Sequence, residues 1–271
     1  MNIEGTETNL PQVARLRDIV ARLRGPDGCP WDREQTHASL RSSVIEEAYE
    51  LVEAIDAGDD GHFKEELGDL LLQVVMHAQM AGEEGRFDLE GIAEEVGEKL
   101  VRRHPHVFGE KRLGDSEAVL KQWDEIKRAE RESRGAPANA SALDGVSAAL
   151  PALMRAEKVQ KRAARVGFDW EEARDVLEKI REEAAEVEER LAAGDRAGLE
   201  EELGDLLFTV VNLTRKAKCE AEMLLSRATN KFVRRFHGLE AEAARRGKGL
   251  AEMSAAEMDA IWEMVKDSEA K

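Results

Sequence analysis

The feature that most constrains this chain is an internal repeat. The heptapeptide EELGDLL occurs without change at residues 65–71 and 201–207, and EEAYE at residues 46–50 has a counterpart in EEAAE at residues 182–186. The two pairs of segments follow the same order with the same spacing. Because each copy of a repeated segment is expected to fold in the same way, the sequence predicts two copies of one structural unit.

A spacer with the composition of a linker separates the copies. The stretch ERESRGAPANASALDG, at residues 130–145, is rich in small and polar residues and contains Pro and Gly. We place the boundary near Pro137, which predicts an N-terminal helical domain at residues 1–136 and a C-terminal one at residues 137–271. We expect the second domain to be the main catalytic repeat.

The composition favours helices over sheets. The 271 residues include only 6 Pro and 1 Tyr, and aromatic residues make up 4% of the chain. Ala, Leu, Glu and Arg, which are strong helix formers, are abundant instead. With 42% hydrophobic residues, each half can bury a core. We therefore predict an all-α fold built from two tandem helical bundles.

The charge balance limits the classes of partner. With 40 basic and 57 acidic residues the formal net charge is −17, which disfavours nonspecific binding to nucleic acid or to an anionic membrane. An anionic ligand would need help from a metal. The two cysteines are too few for a disulfide framework, and no apolar run approaches membrane length. We expect a cytoplasmic protein with no nucleic-acid and no membrane partner.

Each copy places two pairs of carboxylates around one small turn. The Gly-Asp dipeptide at residues 194–195 predicts a helix stop followed by an N-cap, and therefore a tight helical hairpin. Carboxylates three residues apart share a helix face, and the inner member of each pair, Glu186 and Glu202 in the second copy, lies about 10–12 Å from the turn, so the two pairs are level. These quartets are Glu183, Glu186, Glu202 and Asp205 in the second copy, and Glu47, Glu50, Glu66 and Asp69 in the first.

Two level pairs of carboxylates favour a divalent cation. Like charges a few ångströms apart raise one another's pKa unless a counter-charge is present. A single acidic pair is more often a solvated helix face, but the duplication of both pairs favours a metal site. All-oxygen ligands suit Mg²⁺, with Mn²⁺ as a possible substitute. Close helix approach is one explanation for Gly68 and Gly204, which interrupt strong helices.

A basic cluster follows each hairpin. Lys231, Arg234 and Arg235 lie at i, i+3 and i+4, and KLVRRH at residues 99–104 matches KFVRRF at residues 231–236. Such a cluster either pairs with surface carboxylates or clamps phosphate, and its repetition favours the clamp. The Pro after the first cluster should end that helix, whereas the second helix should continue for roughly three turns.

Two further positions of the second copy are candidates for contact with a nucleotide. Lys179 lies one turn before Glu183 and could reach a phosphate held by a metal, whereas the first copy has Ser43 there. Trp262 could stack on a nucleobase, although a Trp on a helix is more often part of the core.

The ordered motifs resemble those of one known family. GCPWDREQTHASL, EEAYE, EELGD, RRHPHVFG, LPALMRAEKVQKRAARVGFDW, EEAAE and KFVRRF together look like the MazG family of nucleoside triphosphate pyrophosphohydrolases, over nearly the whole chain. The resemblance implies tandem all-α domains, a homodimer, Mg²⁺ dependence, and cleavage of nucleoside triphosphates to monophosphate and pyrophosphate.

The resemblance also implies roles for individual residues. The second quartet would bind metal, with Lys179, Lys231, Arg234, Arg235 and Trp262 around the nucleotide. The cation would polarise the α-phosphoryl group while basic side chains hold the departing pyrophosphate. Glu182 is a candidate proton acceptor, although the sequence does not select the base. The candidate catalytic residues are thus Glu182, Glu183 and Lys231.

Three alternatives remain open from the sequence. One is a narrower enzyme, of the dCTP/dUTP type or a phosphoribosyl-ATP pyrophosphohydrolase. Another is a regulator that binds nucleotides without turnover, and the third is a purely structural helical repeat, whose stability should not respond to metal.

Overall fold

A computed structural model describes residues 10–109, 112, 114–133 and 141–269. All regular secondary structure in these ranges is helical, which confirms the all-α prediction. The chain divides into two compact units at residues 1–136 and 137–271, here called the first and the second unit. The predicted boundary residue, Pro137, lies outside the described residues. Among the described helices, none combines the length and apolar composition that a membrane crossing requires.

The helices that carry the repeated segments follow the same order in both units, and the first unit contains two further short helices, at residues 30–34 and 105–108. The first unit contains α1 (Pro11–Arg24), α2 (Pro30–Glu34), α3 (Arg41–Ala57), α4 (Asp60–Glu83), α5 (Leu89–Arg103), α6 (Pro105–Phe108) and α7 (Ser116–Ser133). The second unit contains α8 (Ala152–Arg165), α9 (Ala173–Ala193), α10 (Arg196–Lys216), α11 (Ala221–Arg245) and α12 (Ala255–Glu269), with a 3-10 turn at Leu250–Glu252. The repeated acidic segments lie on α3 and α4, and on α9 and α10.

A Gly-Asp turn joins the two helices of each acidic hairpin. Gly58 and Gly194 end α3 and α9 with φ values of 69° and 66°, a left-handed conformation that is costly for residues with a Cβ. The next residue is the N-cap: the Asp59 carboxylate accepts the Gly61 N–H, and that of Asp195 accepts the Gly198 N–H. The predicted stop and N-cap are therefore confirmed in both copies.

Each unit has a small apolar core beside its hairpin. In the first unit the core brings together α1, α4 and the residue before α3, and its buried members are Val20, Leu40, Val75, Met76 and Met80. In the second unit it joins the end of α11 to α12, and its buried members are Leu239, Ala243, Met253 and Ile261. In the first unit three core residues belong to the C-terminal half of the hairpin helix α4, whereas the core of the second unit lies outside the hairpin helices α9 and α10.

The glycines inside the hairpin helices are not explained by close helix approach. Gly68 and Gly204 are exposed, and a Cβ built at either would have no described atom within 4 Å. The explanation expected from the sequence is therefore wrong within a unit, because the paired helices contact each other through other positions.

The two basic helices end differently, as the sequence predicts. α5 ends at Arg103, and Pro105 opens the separate short helix α6. α11 continues from Arg235 to Arg245, which adds about 15 Å of helix. The basic residues of the second unit are thus anchored on both sides.

Candidate metal and nucleotide site

Three carboxylates of each predicted quartet converge. In the second unit Glu183, Glu186 and Glu202 each offer one oxygen within 4.8 Å of the others. The fourth predicted member, Asp205, is exposed and lies outside this group. Two helices contribute to the group because the hairpin turn sets α9 and α10 level.

The first unit forms an equivalent group with a different composition. Glu47, Glu66 and Asp69 offer oxygens within 4.8 Å of one another, whereas Glu50 is exposed and lies outside the group. The predicted carboxylate that lies outside the group is therefore Glu50 on α3 in the first unit and Asp205 on α10 in the second. Each unit brings three carboxylates together, but the three positions are not the same in the two units.

Burial of one carboxylate in each group supports cation binding. Glu183 is 4% exposed and Glu66 is 8% exposed, and in each the Oε2 atom is buried with no hydrogen-bond partner. An unpaired buried carboxylate oxygen is costly, since it has lost water without gaining a donor. A divalent cation would remove that cost, and the all-oxygen donor set fits Mg²⁺ or Mn²⁺.

Like-charge repulsion already acts within each cluster. Burial, followed by the charges of Glu183 and Glu202, raises the pKa of Glu186 above its ordinary range. Burial, followed by the charge of Asp69, likewise raises the pKa of Glu47. Each cluster therefore contains one carboxyl group that is harder to ionise than an isolated glutamate, because burial and neighbouring carboxylates raise its pKa.

Lys179 lies at the edge of the second cluster, as the sequence predicts. Its Nζ is 2.8 Å from Oε1 of Glu183 and 2.8 Å from Oε1 of Glu182. Hydrogen bonds to Glu182 and then Glu183 raise the pKa of Lys179 above its usual range, so the ammonium stays charged. Glu182, the candidate proton acceptor, is exposed and paired with this cation. Ser43 holds the corresponding position in the first unit.

The sequence interpretation missed three polar side chains that contact the clusters. Arg190 places Nη2 3.2 Å from Oε1 of Glu202 across the second hairpin. In the first hairpin, His62 places Nε2 2.9 Å from Oε1 of Glu66, and Gln73 hydrogen-bonds Glu47. Arg190 is one of only two basic residues in the segment EEAAEVEERLAAGDRAGLEEELGD, and that scarcity was the available signal.

The basic clusters differ between the units. Arg102 and Arg103 both pair with Glu130, at 2.8 and 2.6 Å, and these bonds, that of Arg103 first, lower the pKa of Glu130 to about 2. Lys231 and Arg234 are exposed and form no ion pair with any residue that the structure describes. The first basic cluster therefore matches the alternative of pairing with a surface carboxylate. Two cations of the second basic cluster are available to bind phosphate.

Two of the predicted nucleotide-binding residues, Arg235 on α11 and Trp262 on α12, take part in contacts between these two helices. Arg235 Nε is 2.7 Å from Oε2 of Glu269. Trp262 packs against the second core, with its ring 5.2 Å from that of Phe232. This placement gives the half-buried Trp262 the packing role favoured from the sequence.

Comparison with known proteins follows the same division into two segments. The family model for the MazG nucleotide pyrophosphohydrolase domain matches residues 35–108 and 171–238, which contain both acidic hairpins. The nucleoside triphosphate pyrophosphohydrolase of Escherichia coli K12 is 48% identical over 261 residues, which cover 95% of this chain and 98% of the relative. The Thermotoga maritima protein named nucleoside triphosphate pyrophosphohydrolase/pyrophosphatase MazG is 46% identical over 252 residues, or 93% and 94% of the two chains.

The raised pKa of Glu186 predicts a stability change with pH. A carboxyl whose folded-state pKa is raised contributes stability below its ordinary value of 4.5, and that contribution is lost as pH rises through the folded-state pKa. In chelator, Glu186→Gln should therefore melt at a higher temperature than wild type at neutral pH, and the difference should shrink toward about pH 4. Thermal melts followed by circular dichroism measure it, with the exposed Glu188→Gln as control.

A divalent cation should reverse the order of the melting temperatures of wild type and Glu186→Gln. It binds wild type more tightly than Glu186→Gln, so saturating Mg²⁺ should raise the melting temperature of wild type more. Coincident pH profiles for the two proteins in chelator would show that Glu186 is not under repulsion.

Proposed function

The chain belongs to the MazG family of nucleotide pyrophosphohydrolases, and from that premise we propose that it hydrolyses nucleoside triphosphates, ribo or deoxy, to the monophosphate and pyrophosphate. We propose Mg²⁺ as its metal, with Mn²⁺ as a substitute. The convergence of three carboxylates around a buried, unpartnered oxygen in each hairpin carries this proposal. A purely structural repeat would have no reason to keep that oxygen unpaired twice.

The chain's own residues divide the work of the reaction. Glu183, Glu186 and Glu202 would hold the cation, with Asp205 as an outer ligand. When bound, the cation supplies Lewis-acid polarisation of the scissile phosphoryl group. Lys179 and Lys231 bring positive charge to the phosphates, which stabilises negative charge as it moves onto the leaving pyrophosphate. Glu182 is exposed beside Lys179, a position from which it can accept a proton from attacking water.

We propose that the second unit carries most of the turnover. Its cluster pairs with Lys179, whereas Ser43 holds the corresponding position in the first unit. Its basic helix leaves Lys231 and Arg234 available, whereas Glu130 occupies the two arginines of the first. The first unit therefore retains the carboxylates, but both arginines of its basic cluster are already paired.

A homodimer would cover a repeated apolar stripe. Leu203, Leu207 and Val210 lie at i, i+4 and i+7 on α10, and their first-unit counterparts Leu67, Leu71 and Val74 share this spacing on α4. All six are exposed, from 39% at Leu71 to 60% at Leu207. Gly68 and Gly204 lie next to these stripes and would allow a second copy to approach closely. We propose that a second copy of the chain covers the stripes.

The proposed substrate pool and the two free thiols of Cys29 and Cys219 are consistent with the cytoplasmic location expected from the sequence.

The reaction products provide the first test. Incubation with each nucleoside triphosphate and Mg²⁺, followed by anion-exchange chromatography, should yield monophosphate and pyrophosphate with no diphosphate. Chelator should abolish turnover, because the uncompensated clusters repel the phosphates. Diphosphate and orthophosphate as initial products would contradict the proposed site of cleavage, and undiminished turnover in chelator would contradict the metal requirement.

The proposed difference in turnover between the two units provides the second test. Glu202→Gln should lower kcat about a hundredfold or more, as expected for loss of a metal ligand, whereas its counterpart Glu66→Gln should retain most activity. Steady-state kinetics compares the two variants, and circular dichroism establishes that both are folded. Equal losses, or a larger loss in Glu66→Gln, would place turnover elsewhere.

The apolar stripes predict the effect of a charge on assembly. Leu207→Glu would bury a carboxylate in the proposed interface, so light scattering should show a shift from dimer to monomer. Val166→Glu, at an exposed site after α8, should leave the mass unchanged. A dimer in both variants, or a monomeric wild type, would show that a second copy does not cover this stripe.

A further inference from the structure

The two acidic clusters differ in the positive charge that each already contains. In the second unit Lys179 Nζ lies 2.8 Å from Glu183, and Arg190 Nη2 lies 3.2 Å from Glu202. Two of the three converging carboxylates are thus bound by side-chain cations. A metal ion that enters this cluster meets two positive charges within a few ångströms.

The first cluster contains no such cations. The positions of Lys179 and Arg190 correspond there to Ser43 and Ala54. Glu66 is bound by His62, whose imidazole is charged only when protonated, and Glu47 is hydrogen-bonded by the neutral amide of Gln73. Neither partner brings a permanent positive charge, so an incoming cation meets mainly negative charge.

Two facing positions of the hairpin carry side chains of opposite size in the two units, and this explains the different partners of Glu202 and Glu66. Arg190 crosses the second hairpin beside Gly198, where a Cβ would lie only 2.8 Å from the Arg190 Cδ. In the first hairpin the corresponding position is occupied by His62, and the position facing it is the small, fully buried Ala54. Each hairpin therefore has room for one side-chain partner of its Glu66 or Glu202 carboxylate. The first helix of the hairpin, α9, supplies Arg190 in the second unit, whereas the second helix of the hairpin, α4, supplies His62 in the first unit.

Buried oxygens independently indicate a ligand in both clusters. Oε2 of Glu183 and Oε2 of Glu66 are buried without a partner, although the Oε1 atom of each is bound. In the first unit Oε1 of Gln73, a residue 9% exposed and next to Glu47, is also buried and unpartnered. The side-chain partners therefore leave coordination capacity unused in both units.

We propose that the first cluster binds a divalent cation by itself, whereas the second binds one tightly only together with nucleotide. This inference rests on the proposed function, because the nucleotide must supply the group that draws Lys179 away from Glu183. Phosphoryl oxygens of a triphosphate accept the Lys179 ammonium, which frees Glu183 for the cation. Metal and nucleotide consequently strengthen each other's binding at the second cluster.

Titration of the full-length protein with Mn²⁺, with free Mn²⁺ followed by electron paramagnetic resonance, tests the metal-only part. Wild type should show two classes of site per chain that differ about tenfold or more in affinity. Glu66→Gln should remove the tighter class and Glu202→Gln the weaker one. Loss of the tighter class in Glu202→Gln, or a single class in wild type, would overturn the proposal.

Removal of the side-chain cations gives a sharper comparison. In the Glu66→Gln background, Lys179→Met and Arg190→Met should each tighten Mn²⁺ binding about fivefold or more. Arg196→Met is the matched control, because Arg196 pairs with Glu200 on the exposed face of the same hairpin. Equal tightening in the control would show a general charge effect and would contradict a specific role for Lys179 and Arg190.

The reverse substitution uses the first unit. Ser43→Lys places an ammonium at the position that corresponds to Lys179, so it should weaken the tighter Mn²⁺ class about fivefold or more. Unchanged Mn²⁺ affinity in a folded Ser43→Lys protein would contradict the proposal.

The nucleotide-dependent part needs no turnover. In the Glu66→Gln background, calorimetry should show that saturating Mn²⁺ raises the affinity for an α,β-methylene nucleoside triphosphate about tenfold or more. A ratio near one would overturn the coupling. Hydrolysis assays are separate from all these measurements, so an active enzyme with uncoupled binding would refute this inference alone, whereas an inactive protein would refute the proposed function.

Discussion

Repulsion among carboxylates is the constraint on which the rest of this molecule depends. Three acidic side chains converge within 4.8 Å in each hairpin, and in each group one carboxylate oxygen is buried without a donor. Packing does not produce such an arrangement spontaneously, since the chain must hold charges together that would otherwise separate. The left-handed glycine and the Asp N-cap do this, because they set the two helices level and antiparallel.

Duplication has given the two hairpins the same backbone and different electrostatics. The second hairpin carries cations that contact its carboxylates, and its basic helix presents Lys231 and Arg234, which pair with no carboxylate in the part of the chain that the structure describes. The first carries His62 and Gln73 instead, and its arginines are occupied by Glu130. These differences lie around the clusters and not in the repeated acidic motifs, so the units can diverge in activity while their motifs remain nearly identical.

The sequence predicted the elements whose causes are local. Identical heptapeptides and the Gly-Asp dipeptides indicated two hairpins, and three-residue spacing placed Glu183 and Glu186 on one face. It did not predict that Arg190 reaches Glu202, because that contact depends on space at Gly198. Nor did it predict the capture of Arg102 and Arg103 by Glu130, since the partner lies 27 residues or more away in the sequence. Periodicity also gives the face of a residue but not its depth, so the exposure of Glu50 and Asp205 was not foreseen.

The bare backbone at Gly198 has a consequence for how such hairpins can change over generations. A side chain gained at this position would meet the Asp195 carboxylate and, 2.8 Å from its Cβ, the Arg190 side chain, whereas loss of Arg190 leaves the Glu202 side chain, which is 13% exposed, without that cation. Substitutions at positions 190 and 198 should therefore be non-additive, because a side chain at position 198 would need space that Arg190 occupies. Positions 190 and 198 lie on facing helices and constrain each other, although neither belongs to the cluster of converging carboxylates.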